Sequence, residues 1–247
     1  MVFVMGRLWF AALAAVPLLA QSAGERGWQV LEAALKAAGG RERLAAVRDM
    51  SFDLQSRMAT PMGEMNFTSK NRLVFPDTVR QDMTMPFGPM TIAFDSAEGW
   101  RKGPPGTEKI PPDQLRRTIA HLKNVNILFR PPQDAKTVRW LAVETLEGRA
   151  CDVIEVSQAE AEPARLYVDR SNGEVVKRAY RVENSSGGMA NVEEFLSDHR
   201  DVAGLRLSFK VREMRDGKFA RESVTSNMQV NTGLKAADLL RDFRQAR

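Results

Sequence analysis

The chain lacks most of what metal sites and active sites are usually built from. Its 247 residues include one cysteine, Cys151, and two histidines, His121 and His199. A lone thiol excludes an internal disulfide framework and any multi-cysteine metal site. Two histidines so far apart leave little for a histidine metal centre. No G-x-S-x-G elbow, H-E-x-x-H helix or P-loop is present. Aromatic residues make up only 7%. Low-complexity tracts and internal repeats are absent, and no basic run exceeds a pair of residues. The isoelectric point near 9.5 and net charge of +5 are therefore dispersed. Without basic residues interleaved with aromatics, a nucleic-acid platform is not expected.

What is present is ordinary globular material, 43% hydrophobic and 27% charged, long enough to bury a core without staples. The only long apolar run is at the start. Arg7 precedes the uncharged segment Leu8–Ala20, the pattern of a signal peptide and too short to span a bilayer comfortably. Residues 1–20 are read as that signal, cleaved after Ala20 or Ala23, with residues 24–247 forming a single exported domain. Cys151 stands far from the cleavage point, so no lipid anchor of that kind is expected. It opens the apolar stretch Cys151–Val156 and reads as core.

In the mature chain, Trp28, Leu31, Leu35 and Ala38 recur at helical spacing until Gly39-Gly40 stops the helix. A second short helical piece follows at 41–47. From residue 50 the period becomes two. Phe52, Leu54 and Met58 alternate, turn at Pro61-Met62-Gly63, and resume at Met65 and Phe67. Val79, Met83, Met85 and Phe87 share one face of a strand, and Met90, Ile92 and Phe94 one face of the next, with a turn expected at Gly88-Pro89. The Pro/Gly-rich segment 101–112 reads as a mobile loop before a helix over 113–128, whose stripe is Leu115, Ile119, Leu122 and Val125. Alternating segments then run to Val230, ahead of a terminal helical piece at 234–243. The count is about 10–11 strands, joined mostly by hairpins and therefore antiparallel.

This order of elements carries a resemblance. A leader, a helix ending in two glycines, paired strands, the Gly99-Trp100 pair, a mid-chain helix, the Asp169–Gly173 turn, and the stretch Phe195-Leu196-Ser197-Asp198-His199-Arg200-Asp201-Val202-Ala203-Gly204-Leu205 together resemble exported proteins of the LolA/LolB-like (outer-membrane lipoprotein-sorting) type, over roughly residues 27–232. The resemblance implies an α+β fold, mainly antiparallel β: a strongly curved open half-barrel with helices covering its concave face. It further implies a periplasmic carrier that holds acyl chains of a lipid or lipidated protein, without cofactor, metal or covalent chemistry.

The residues themselves agree at one point. A methionine-rich strand face beside an amphipathic helix suits an adaptable apolar pocket. The candidate lining is Met65, Phe67, Met83, Met85, Phe87, Met90, Ile92 and Phe94, with Trp100 at the rim. Leu115, Ile119 and Leu122 are the candidate lid. Ordinary core packing would explain the same stripes. His121, Glu160, Glu162 and the Glu193-Glu194 pair read as solvated. His199 lies beside Asp198 and Asp201 with no nucleophile placed by motif, so a hydrolase is the weaker reading. A sensor or interaction module with a membrane-associated partner protein is the alternative to a carrier.

Overall fold

The computed structural model describes residues 21–184 and 187–245; the expected signal peptide lies outside the described residues. Among the described residues four α-helices and thirteen strands are formed. The helix α1 (Ala23–Ala37) starts where Ser22 and Glu25 make a reciprocal capping box, which satisfies two of the amide donors a helix start leaves open. A short α2 (Arg41–Ala45) follows. Then come β1 (Asp49–Thr60), β2 (Gly63–Val74), β3 (Thr78–Met85), β4 (Gly88–Phe94), β5 (Gly99–Gly103) and β6 (Gly106–Lys109). After α3 (Pro112–Val125) come β7 (Val138–Leu146), β8 (Arg149–Val156), β9 (Ala164–Asp169), β10 (Val175–Glu183), β11 (Met189–Val202), β12 (Leu205–Arg215) and β13 (Lys218–Val230), and finally α4 (Ala236–Arg244).

All thirteen strands join one open, antiparallel sheet. Its order is β6-β5-β4-β3-β2-β1-β13-β12-β11-β10-β9-β8-β7. The first six strands count outward to one edge, and the last seven count inward from the other. The two series meet in the middle of the sheet, where Met50 pairs with Val230 and Ser56 with Ser223. The chain must therefore travel from edge to edge once, between β6 and β7. That crossing is α3 and the segment after it, and it runs over the concave face. Placing a helix over the hollow follows directly from this connectivity.

Two expectations are corrected. Residues 101–112 are not an open loop. They supply the hairpin β5–β6, turning at Pro104-Pro105, which adds two strands to the expected count. The turn between β3 and β4 falls at Pro86-Phe87, with Met85 opposite Gly88. Proline fixes the first corner and glycine accepts the positive φ of 122° after it. Phe87 is thereby moved from a strand face to a hairpin tip, 60% exposed.

The main core lies between α1, α2 and the concave face of β7–β12, with Leu31, Leu35, Ile154, Val156, Leu166 and Leu205 fully buried. Gly27 lets α1 sit directly on β7, because a Cβ there would fall 2.6 Å from the Trp140 amide nitrogen. Not every helix is on the concave side. Trp100 pairs with Ala93, the neighbour of Phe94, so it points to the opposite face. There α4 covers it with Leu240 and a stacked Phe243. Arg80 holds this helix through Asp242 and the Leu239 carbonyl, and Arg244 reaches Asp95 and Glu98.

Candidate functional site

Under α3 the concave face leaves a partly enclosed cavity of about 420 Å³, within the range of small-molecule sites. One wall is apolar. Met50, Phe52 and Leu54 of β1, Leu73 of β2, Val79 of β3 and Phe94 of β4 project inward, and Leu122, Leu128 and Phe129 descend from the crossing segment. Ala34, Ala37 and Ala38 at the end of α1 close the base. These positions share a face because register demands it: Phe52 lies opposite Asn71, which lies opposite Gln81, and Leu73 lies opposite Val79.

A polar belt crosses the same face diagonally. Asn71 donates to Ser69 Oγ at 2.9 Å, and Ser56 Oγ and Ser223 Oγ are 2.8 Å apart. Next in register come Arg221 with Glu213 at 3.0 Å, then Arg178 with Glu194 at 2.9 Å. Ser56, Ser69, Asn71, Glu194, Glu213 and Ser223 are all buried, and each has a partner, as buried polar groups require. From above, His121 of α3 places Nδ1 3.1 Å from the Tyr180 hydroxyl, and Arg178 also donates to the Val125 carbonyl at the end of the helix. A separate polar corner lies near α1. There Glu174 accepts from Arg206 at 2.9 Å and sits 3.4 Å from His199 Nδ1.

Charge in these groups is tuned by burial and neighbours. Burial pushes the Glu194 carboxyl up, but Arg178, His121 and Arg221 outweigh it and hold it below the usual carboxylate range. Burial lowers the pKa of His121 against the pull of Glu194 and Glu213, so the ring is neutral near pH 7. His199 is likewise lowered by burial, partly offset by Glu174. Burial and then the Glu194 charge push the Tyr180 hydroxyl well above its ordinary value. Among the described residues no group of histidine, cysteine and acidic side chains has metal-binding geometry.

Of the residues expected to line a pocket, Phe94 does so, and of the expected lid residues Leu122 lines it too. Met65, Phe67, Met83, Met85, Met90 and Ile92 are on the concave face but form a cluster of their own with Met58 toward the hairpin tips. Ile92 also packs against Phe94 and Val79 of the cavity wall and so joins this cluster to it. Phe87 is exposed at a tip, and Trp100 is on the far face. Leu115 and Ile119 pack with Phe94 and Ile110 beside the cavity. His121 and Glu194, read as solvated, are instead in its wall. His199, beside Asp198 and Asp201 in sequence, faces Glu174 instead. Asp198 adopts a positive φ of 54° and binds Arg200 at 2.6 Å, while His199 lines the cavity. The missed residues carry a readable signal. Gln81, Asn71, Ser56 and Glu194 each interrupt the apolar alternation of an inward strand face, and neighbouring interruptions stand in register.

No family model and no curated sequence matches this chain. Solved structures do match in fold. A LolA-superfamily protein from Nitrosomonas europaea is 13% identical with a TM-score of 0.57, covering 88% of this chain and 98% of that one. A DUF1329-family protein from Desulfovibrio piger reaches 0.58 at 11% identity, with 89% and 98% covered. A domain from Vibrio parahaemolyticus described as a candidate outer membrane lipoprotein-sorting protein reaches 0.57 at 10% identity, with the same coverage. The chain therefore has the LolA-like fold.

Proposed function

We propose that this protein is an exported carrier that holds an acyl chain of a lipid or lipidated protein in the cavity beneath α3. The observation that carries the reading is the cavity itself: a LolA-like sheet whose one long crossing segment roofs an apolar-walled space. A chain entering it leaves water at about 0.8 kcal/mol per methylene, a driving force that needs no covalent step. In this reading α3 lifts to admit the chain, and residues 1–20 direct the protein out of the cytoplasm. The test is displacement of a fluorescent fatty-acid probe from purified protein. Leu122→Trp fills the cavity and is expected to weaken binding at least tenfold with the fold intact by circular dichroism. A wild-type protein that binds no such probe overturns the reading.

One observation favours a second reading, an interaction module. Met62 is 98% exposed and Phe87 60% exposed at the tips of neighbouring hairpins, apolar points available to a membrane-associated partner protein. A specific partner recovered with no lipid in the purified protein would favour that reading.

A further inference from the structure

Of the twelve methionines, five (Met58, Met65, Met83, Met85 and Met90) pack into one cluster on the four adjacent strands β1–β4. Register brings them together. Met58 stands opposite Met65 and Met83 opposite Met90. Met85 follows Met83 on the same face, and its own opposite number is Gly88, which has no side chain to fill the space. Residues opposite each other on neighbouring strands start about 5 Å apart at Cβ, so two flexible thioethers can turn their sulfurs onto one ion. Sheet packing alone selects other residues. Strands favour β-branched and aromatic side chains, and the inward positions of β8 and β9 are accordingly Ile154, Val156, Leu166 and Val168. What methionine adds is a soft, polarisable sulfur without charge or a proton to lose. Met83 and Met85 are buried, while Met58, Met65 and Met90 are half-buried, which leaves the sulfurs open to approach from solvent. His121, His199 and Cys151 stand elsewhere, in α3, β11 and β8, so methionine sulfur is the soft donor this cluster offers.

We infer that Met83, Met85 and Met90, with Met58 and Met65 beside them, form a binding site for a soft monovalent cation of the Cu(I) class. Thioether ligands select Cu(I) over the harder divalent ions, which need carboxylate or imidazole. A single positive charge is also the least that an apolar strand face has to accept. The inference stands apart from the carrier reading and neither rests on it nor tests it. The experiment is calorimetric titration of the purified protein with acetonitrile-stabilised Cu(I) in the absence of oxygen. Saturable uptake of about one ion per chain is expected, with no uptake of Mg²⁺. Met83→Leu and Met90→Leu keep volume and apolarity, so the fold is retained, as circular dichroism checks. Each is expected to weaken Cu(I) about tenfold or more by removing a ligand, whereas Met189→Leu, on β11 outside the cluster, leaves the affinity unchanged. Thioethers have no proton to release, unlike imidazole or thiol ligands, so the affinity should agree within about twofold between pH 7.5 and 5.5. No saturable uptake, cluster variants that bind as tightly as wild type, or an equal loss in Met189→Leu overturns the site. A fall of about tenfold at pH 5.5 assigns the ion to a titrating ligand and overturns it as well.

Discussion

A single row of inward positions crosses six adjacent strands, pairing in turn Met65, Met58, Arg221, Glu213, Glu194 and Arg178. On the β1–β2 side the row is thioether, and beyond it Phe67, Met83 and Met85 are more than nine-tenths buried among themselves. On the β10–β13 side the same row is charged, and Glu194 and Glu213 are nearly sealed from water. Backbone geometry is shared, so the difference is one of tolerance. An apolar cluster can lose an atom group and collapse around the gap. A buried ion pair that loses one member leaves a charge with no means of solvation. The charged half of the row therefore depends on each of its members, while the thioether half is the adaptable one.

Removing one member of each half puts that contrast to its hardest test. Arg178→Ala strands the Glu194 carboxylate and also frees the Val125 carbonyl that ties down α3. A loss of about 3–5 kcal/mol is expected, read as a large fall in the denaturation midpoint. Met83→Ala should cost less, about 2–3 kcal/mol. Because Met83 is not among the residues lining the cavity, fatty-acid probe affinity should stay within twofold of wild type. A Met83→Ala protein that lost the probe would show that the cluster is part of the site.

The fold was legible in the sequence because alternation is a local signal. The two-residue period from Phe52 onward, the double glycine after α1 and the Ala203-Gly204 turn each declare themselves within a few positions. The methionine stripe was visible for the same reason, since β3 and β4 are joined by a tight turn. The cavity was not, because its wall joins strands remote in sequence. Ser56 and Ser223 touch across a separation of 167 residues, at a seam where the first and last strands of the sheet meet. His121 was misread because it is off the apolar stripe of α3. The stripe does pack down at Leu115, but the helix lies over a polar wall as well as an apolar one, so its polar side is also covered. Trp100 looked like a rim residue because nothing in the sequence tells which face α4 will take.

The seam offers a finer comparison. Ser56 and Ser223 bridge the apolar half of the concave face and the charged half through one buried hydroxyl pair. Ser56→Ala leaves the Ser223 hydroxyl without that partner and is expected to lower stability by about 1 kcal/mol. The double variant Ser56→Ala, Ser223→Ala should recover part of this, because no hydroxyl is then left unpaired. Chemical denaturation of the three variants reads the coupling, and strictly additive losses would mean the seam carries no such link.

Proton uptake distinguishes the two halves most gently, since only one of them titrates. His121 and His199 are each held below the ordinary imidazole value, first by burial. In the unfolded chain both return toward about 6.5. Between the lowered folded value and that unfolded value, the unfolded state binds more protons, so stability is full above pH 6.5 and falls as pH drops below it. Each histidine contributes a slope of at most about 1.4 kcal/mol per pH unit in that window. Glu194, held low mainly by Arg178 against the opposing effect of burial, acts in the same direction, but only once pH approaches the carboxylate range. His121→Gln should therefore flatten the decline in melting temperature between pH 6.5 and 5 while leaving the values at pH 7.5 to 8 nearly in parallel with wild type. Met85→Leu, in the half without titrating groups, should leave the shape of the curve unchanged. If His121→Gln declines as steeply as the parent, the imidazole over the belt takes up the same number of protons folded and unfolded through this window, and burial does not hold it below the ordinary imidazole value.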